Sequence, residues 1–422
     1  MMICSWASKP CLICQSLIMK YILLFLVSVF VWQQSVCAVN PDSSMRSILE
    51  RSFRVAVGQS KYMYELLKDQ PGRFPKSERD GRLETCNSHW WTSGFFPGTL
   101  WYLYEHERDS ILLSAAKEMT NRVAPEQFTT NHHDVGFQIN CSFGNGYRLT
   151  GREDYCQVLL NAGRSLSSRF SVVTGCIRSW DKWNYAVIID NMMNLELLLV
   201  ASILGDDPTF SDMARSHADK TLVNHFREDA SSYHCVDYDP RTGAVLSRMT
   251  HQGASDASSW SRGQAWGLYG YTMMYRFTRD KRYLDQAIRI GTYLMRHPRL
   301  PEDKVPYWDF DAPNIPDAPR DASAAAIMAS AYVELSTYVS DSLGQQFLDM
   351  ASVQIRSLSS PAYLAALGTN HGFILMHSTG FFAKNSEVDA PLSYADYYFV
   401  EALIRYERLL AGAPVVDMIK KR

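Results

Sequence analysis

The chain has 422 residues, enough to bury a large core in one domain or two medium ones. Its 42 Lys and Arg nearly balance 44 Asp and Glu, and no long basic run occurs. This argues against a nucleic-acid surface. The surplus lies in 10 Trp and 23 Tyr, which suit a core and also suit sugars, whose C–H faces stack on aromatic rings.

The N-terminus reads as an export signal. Lys20 precedes the apolar run from Tyr21 to Val31, and the segment ends at Val36-Cys37-Ala38, a small-x-small cleavage pattern. Residues 1–38 are therefore expected to be removed, with Met19 an alternative start. The run is too short for a confident membrane span. This predicts a periplasmic or secreted protein with no stable membrane insertion. Anchoring through Cys37 is disfavoured by Gln34-Ser35-Val36, a poor match to the small-residue box before a lipid-modified cysteine. Residues 39–422 are expected to form a single catalytic domain. They hold five cysteines, Cys86, Cys141, Cys156, Cys176 and Cys235, with no CxxC pair, so buried free thiols are expected.

Apolar spacings of three and four residues recur along nearly the whole mature chain. They predict about twelve helices, near 43–68, 94–107, 110–124, 134–149, 153–170, 186–204, 210–228, 263–278, 281–297, 321–340, 343–358 and 394–411. Leu149 to Tyr155, Leu204 to Phe210 and Phe277 to Tyr283 share one turn pattern. An apolar helix end is followed by a short polar turn, and an aromatic opens the next helix. Such helical hairpins cannot bury their apolar faces alone and must stack or close on each other. Six hairpins closing into a ring give an all-α (α/α)6 barrel. Periodicity alone leaves an irregular helical array open. The stretch Tyr233 to Arg248 alternates instead, with Asp239-Pro-Arg-Thr-Gly243 as its turn, and predicts an inserted β-hairpin. Residues 301–320 carry five prolines and predict a long loop, where function often resides.

Three places could carry chemistry. Asp134 follows His132-His133 at a helix start, where an aspartate commonly caps. The adjacent histidines lack the i, i+4 spacing of a zinc pair, so no metal site is expected. Asp190 lies in the apolar run Val187 to Val200. An unpaired carboxyl there is costly and acquires a raised pKa, which suits a proton donor near neutral pH. A hydrogen-bond network with Asn191 and Asn194 is the structural alternative. The densest polar-aromatic block runs from Thr250 to Gly267, with Arg262 and Trp266 on one helical face. An arginine there could bind a carboxylate through two nitrogens, or pair internally with an aspartate. No GxSxG elbow, HExxH motif or phosphate loop occurs.

Taken together, Trp91-Thr-Ser-Gly-Phe-Phe-Pro-Gly98, His133-Asp-Val-Gly-Phe137, Ile189-Asp-Asn-Met-Met-Asn-Leu195, Tyr233-His234, His251-Gln-Gly and Trp260-Ser-Arg-Gly-Gln-Ala-Trp266 are similar to blocks of one family. From about Thr92 to Arg405 the chain resembles the unsaturated glucuronyl hydrolases, glycoside hydrolase family 88. Each block is weak, but their order and spacing are specific. The resemblance implies an (α/α)6 barrel that needs no cofactor. It implies release of the 4,5-unsaturated uronic acid left on oligosaccharides, glycosaminoglycan disaccharides foremost, by polysaccharide lyases. Asp190 matches the family's catalytic acid and base, and Asp134 its second essential aspartate. Trp91, Trp180, His234, Gln252, Arg262 and Trp266 match residues of the sugar pocket. Ser378 to Asp389 departs from the family pattern.

Three rivals remain at this level. A rhamnogalacturonyl hydrolase would use the same fold and chemistry on pectin fragments. A sugar epimerase would need paired histidines in its pocket. A non-catalytic glycan-binding protein would have no use for Asp190. Lys182, Arg178 and Arg320 are the basic side chains that could meet a sulfate on the substrate.

Overall fold

Two kinds of helix alternate along the chain, and their burial separates them. The structure, a computed structural model, describes residues 43–421; the export-signal reading of residues 1–38 falls outside them. The outer kind is amphipathic: α1 (Ser43–Leu67), α3 (Ser110–Val123), α5 (Glu153–Ser167), α7 (Pro208–Asn224), α9 (Lys281–Arg296) and α11 (Asp341–Leu358). In α9 the buried residues are Tyr283, Gln286, Ala287, Ile290, Gly291 and Leu294, the single stripe that a helix on a surface presents to its core. The inner kind is buried almost all round. It comprises α2 (Phe95–Glu107), a π-helix (Gly136–Gly144) running into α4 (Asn145–Thr150), α6 (Asn191–Gly205), α8 (Ser261–Thr278), α10 (Ala322–Ser336) and α12 (Ser393–Leu410).

The inner helices close a ring. The π-helix packs against α2 and α6, α6 against α8, α8 against α10, α10 against α12, and α12 returns to α2. This is the (α/α)6 barrel rather than an irregular array. Small side chains such as those of Ala322–Ala326 in α10 let its neighbours approach closely.

The recurring turn has a physical basis. An inner helix ends on one residue in the left-handed region, at Arg108, Gly151, Asp206 and Arg279. At three of these, the next residue is an aspartate that caps the following outer helix. Asp109 accepts from the backbone N–H groups of Ile111 and Leu112, Asp207 from that of Thr209, and Asp280 from that of Arg282.

Two stretches differ from the periodicity. The spacing predicts one helix over 186–204, but Ala186–Ile188 is a strand, β1. It pairs antiparallel with β2 (Cys235–Tyr238), and β2 pairs with β3 (Val245–Met249). The predicted hairpin thus gains a third strand from about 50 residues upstream in the chain. The other is the helix expected over 134–149, whose first part is π-helical. It is clamped on both sides: a Cβ on Gly136 would lie 2.5 Å from Asn194 Cα, and one on Gly94 2.2 Å from the Gln138 carbonyl oxygen. The cysteines Cys86, Cys141, Cys156, Cys176 and Cys235 are all buried and free.

Candidate active site

All six inner helices begin at the same end of the barrel, and there the chemistry collects. A cleft of about 1600 Å³, its open mouth included, is lined by Trp91, Asp134, Trp180, Gln252, Arg262 and Tyr394 among others. Helix N-termini present unpaired N–H groups and a partial positive charge, a favourable setting for an anionic ligand.

Asp190 lies just below this cleft, only 8% exposed. It is not within an apolar helix, as the sequence suggested, but at the N-cap position of α6, two residues after β1. Its side chain makes no capping hydrogen bond, and Oδ2 finds no partner among the described residues. Neither Asn191 nor Asn194 satisfies it: the Asn191 amide donates to the Ile177 carbonyl, and Asn194 turns to Phe137 and His133. Burial pushes the Asp190 carboxyl up to about 7, against the opposing pull of the Arg262 charge. The Trp266 indole N–H is close enough to favour the charged form without forming a full hydrogen bond.

The three-stranded sheet brings His234 to Asp190. Ile188 pairs with Cys235, and the Ile189 N–H donates to the His234 carbonyl. His234 Nδ1 accepts from the backbone N–H groups of His251 and Gln252, both at 3.1 Å. Its proton therefore sits on Nε2, which faces Asp190 Oδ2 at 3.7 Å. Burial and nearby positive groups hold His234 well below the usual histidine range, so it is a neutral donor.

Asp134 stands beside Asp190. Burial first, and then the charge of Asp190, pushes its carboxyl up to about 8. Its backbone N–H donates to His132 Nδ1, and it caps no helix. Two carboxyls this close titrate as a pair, so the site holds at least one proton at neutral pH.

The aromatic side chains sort into lining and support. Trp91 lines the cleft against Tyr394 and Phe137. Trp180 lines it beside Trp183 and His251. Trp266 is fully buried against Phe137 and Tyr398, so it supports Asp190 from below rather than meeting solvent. Gln252 donates to the Gly380 carbonyl.

Arg262 reaches the cleft, but its terminal nitrogens are engaged within the protein. Nη1 donates to Asp321 and to the Thr379 carbonyl, and Nη2 to the Gly380 carbonyl. The internal Arg–Asp pair is thus the arrangement found, and the guanidinium anchors the 379–380 loop while its charge acts on Asp190. Of the basic groups singled out for a sulfate, Lys182 alone lines the cleft. Arg178 donates to the carbonyls of Trp183 and Asn184, and Arg320 pairs with Asp303.

Sequence reasoning missed Lys76, His89, Trp90, His251, Phe381, Lys384 and Tyr394 on the cleft wall. Trp90 adjoins one motif block and His251 opens another, so both were within reach. Phe381, Lys384 and Glu387 come from the loop that departs from the family pattern, which explains how they escaped notice.

No protein-family model matches the chain. It is 46% identical over 325 residues to an unsaturated glucuronyl hydrolase of Formosa agariphila, covering 76% of this chain and 80% of that one. It is 33% identical to an unsaturated chondroitin disaccharide hydrolase of Streptococcus agalactiae, covering 75% and 81%. Among solved structures, an unsaturated glucuronyl hydrolase specific for heparin superposes with a TM-score of 0.84 at 47% identity, covering 86% of this chain and 98% of that one. A helical barrel with two proton-holding aspartates at the N-terminal ends of its inner helices, and relatives this close over this much of their length, make the chain a member of the unsaturated glucuronyl hydrolase family.

Proposed function

We propose that the chain removes the 4,5-unsaturated uronate from the non-reducing end of lyase-made glycosaminoglycan disaccharides, with Asp190 as the proton donor. One observation carries this assignment: an uncapped, buried carboxyl with its pKa near 7 beneath an aromatic cleft.

The chemistry follows from the substrate. A lyase leaves a C4=C5 double bond attached to the ring oxygen, which is a vinyl ether. The Asp190 carboxylic acid gives its proton to C4, and positive charge develops at C5 and the ring oxygen. The resulting carboxylate takes a proton from water as the water oxygen bonds to C5, which restores the acid. The C5 hemiketal opens to a ketone, and the hemiacetal left at C1 expels the next sugar. One carboxyl serves both proton transfers, unlike ordinary glycoside cleavage with its two carboxyl roles. No metal or organic cofactor takes part. Asp134 is assigned to the sugar hydroxyls, and Trp91 and Trp180 to its apolar face.

The relatives' names, chondroitin disaccharide in one case and heparin in another, support glycosaminoglycan fragments as the substrate class. The rim supports an acidic neighbouring sugar. Lys182 and Lys384 both stand near enough to His251 to hold it in its neutral form, after burial, at about 4. The signal-like residues 1–38 support export to the periplasm or beyond.

Incubating the protein with unsaturated disaccharides should abolish the ultraviolet absorbance of the conjugated alkene, while saturated analogues stay intact. Heavy-oxygen water should label the C5 keto group and not the released sugar. Equal rates on saturated disaccharides would overturn the hydration mechanism. Cleavage of rhamnogalacturonan disaccharides alone would overturn the glycosaminoglycan assignment.

A further inference from the structure

His133 has no part in the chemistry above, although its ring is fully buried beside Asp134. Its Nδ1 lies 3.2 Å from the side-chain nitrogen of Asn194. The orientation of that amide follows from its other atom, because Asn194 Oδ1 accepts the Phe137 backbone N–H at 2.8 Å. Asn194 therefore donates and His133 Nδ1 accepts. Burial holds the ring well below the usual histidine range, and an uncharged imidazole that accepts at Nδ1 carries its proton on Nε2.

That Nε2 faces Asp134 Oδ1 at 3.4 Å. Asn191 Oδ1 is the competing acceptor close enough to act on the ring, and it too lacks a hydrogen-bond partner among the described residues. The other carboxyl oxygen meets no such donor: the nitrogen opposite Asp134 Oδ2 is His132 Nδ1, at 3.6 Å. That nitrogen already accepts the Asp134 backbone N–H. Oδ1 of Asp134 thus has within 3.4 Å an imidazole nitrogen that makes no hydrogen bond among the described residues, and Oδ2 has only a nitrogen that is already occupied. The same device recurs at Asp190, where His234 has its Nδ1 occupied and its Nε2 turned to the carboxyl.

We propose that His133 is a positioning residue, fixed by Asn194 so that its Nε2–H holds Asp134 Oδ1 and turns Oδ2 toward the sugar. The proposal rests on the functional reading above only in assigning Asp134 to the sugar. Gly136 belongs to the device, because any side chain there would collide with Asn194.

Two substitutions of nearly equal size separate this role from simple bracing. In His133→Gln the amide can sit where Nε2 was, which keeps a donor for Asp134 and loses the contact with Asn194. In His133→Asn the amide sits where Nδ1 was, which keeps Asn194 and loses the donor. His133→Gln should retain kcat/KM within a few-fold, and His133→Asn should lose roughly 10–100-fold, the scale of a hydrogen bond to a charged group. The difference should disappear in an Asp134→Asn background, as expected for residues acting as a unit. Thermal unfolding checks that each variant folds. The reverse order would make His133 a brace for Asn194, and a difference that persists without Asp134 would assign its proton to Asn191. Either result overturns the proposal. Nitrogen-15 histidine spectra of the unmodified chain provide a check that needs no variant. They should show His133 as the Nε2–H form at pH 7, and an Nδ1–H form or an imidazolium would also overturn it. An enzyme inactive on every unsaturated disaccharide would instead refute the functional reading and leave the spectrum to decide the position of the proton.

Discussion

The two ends of the barrel bury similar groups to opposite effect. At the end away from the cleft, Arg276 from α8 pairs with Glu334 at 2.8 Å and Glu196 at 2.6 Å. Arg405 from α12 pairs with Glu334 at 3.0 Å and Glu401 at 3.2 Å. Glu105 is held by Arg148 and Arg408. Burial alone would push Glu334 and Glu105 up, but two arginines on each outweigh it, and both fall below the usual carboxylate range. Glu196, with one arginine, stays raised. At the cleft end Asp134 and Asp190 have, among the described residues, no arginine in salt-bridge contact and rise to about 8 and about 7. Burial therefore does not by itself make a proton donor, because the number of paired cations decides which way the carboxyl moves. Asp321 makes the same point within the cleft end. Like Asp190 it is the N-cap of an inner helix, but it accepts from Ser323, Ala324 and Arg262 and is wholly committed to structure.

The largest test of this contrast is Asp190→Asn. Turnover should fall roughly 10²–10⁴-fold, the usual worth of a general acid or base, while the circular dichroism spectrum is kept. The wild-type rate should also fall as pH rises through about 7, because the donor must carry its proton. A rate that climbs across that range would remove Asp190 from the role.

At the opposite end Arg276→Met leaves Glu196 without its arginine and Glu334 with one fewer. Denaturant unfolding should show a loss of about 3–5 kcal/mol, the cost of breaking a buried pair from one side. The activity of the folded fraction should be little changed. A neutral result would mean that water or Arg405 compensates, and the contrast between the ends would weaken.

The next test concerns stability against pH. The folded chain binds protons at Asp134 and Asp190 more tightly than the unfolded chain, whose carboxyls keep their ordinary values near 3.8. Stability from this source is fully present below about pH 4 and is lost as pH rises through about 7 to 8. Asp134→Asn cannot ionise. It should match the wild type only below about pH 4 and gain on it steadily as pH rises to about 8, by several kcal/mol at most at about 1.4 kcal/mol per unit, read as a rise in Tm relative to the wild type. An advantage that shrinks as pH rises would reverse the assigned sign.

The smallest effect belongs to the rim. Lys182→Ala and Lys384→Ala should each raise KM a few-fold for a sulfated disaccharide and leave the unsulfated one unchanged, since exposed ion pairs contribute roughly 0.2–1 kcal/mol. Equal changes on both substrates would assign these lysines to general attraction.

Much of this architecture could be read before the fold was known. Twelve helices, their hairpin pairing and the inserted β-hairpin follow from spacing and turn chemistry, because such signals lie within a few residues of each other. Asp190 stood out for a similar reason, as a charged residue in an apolar run. Its actual position, at a strand–helix junction, was not readable. Ala186–Ile188 becomes a strand only because Cys235–Tyr238 pairs with it, and a partner that distant leaves no mark on local periodicity. The same limit hid the fate of Arg262, whose ligands Asp321, Thr379 and Gly380 lie 59 or more residues away. It also hid the tautomers of His133 and His234. Composition and spacing determined which helices form and which carboxyl lies in dry surroundings. Only the tertiary structure decided which carboxyls receive arginines and which face a histidine N–H. Charge pairing depends on distance in space, and in a closed ring of helices the nearest charge usually comes from another turn of the ring.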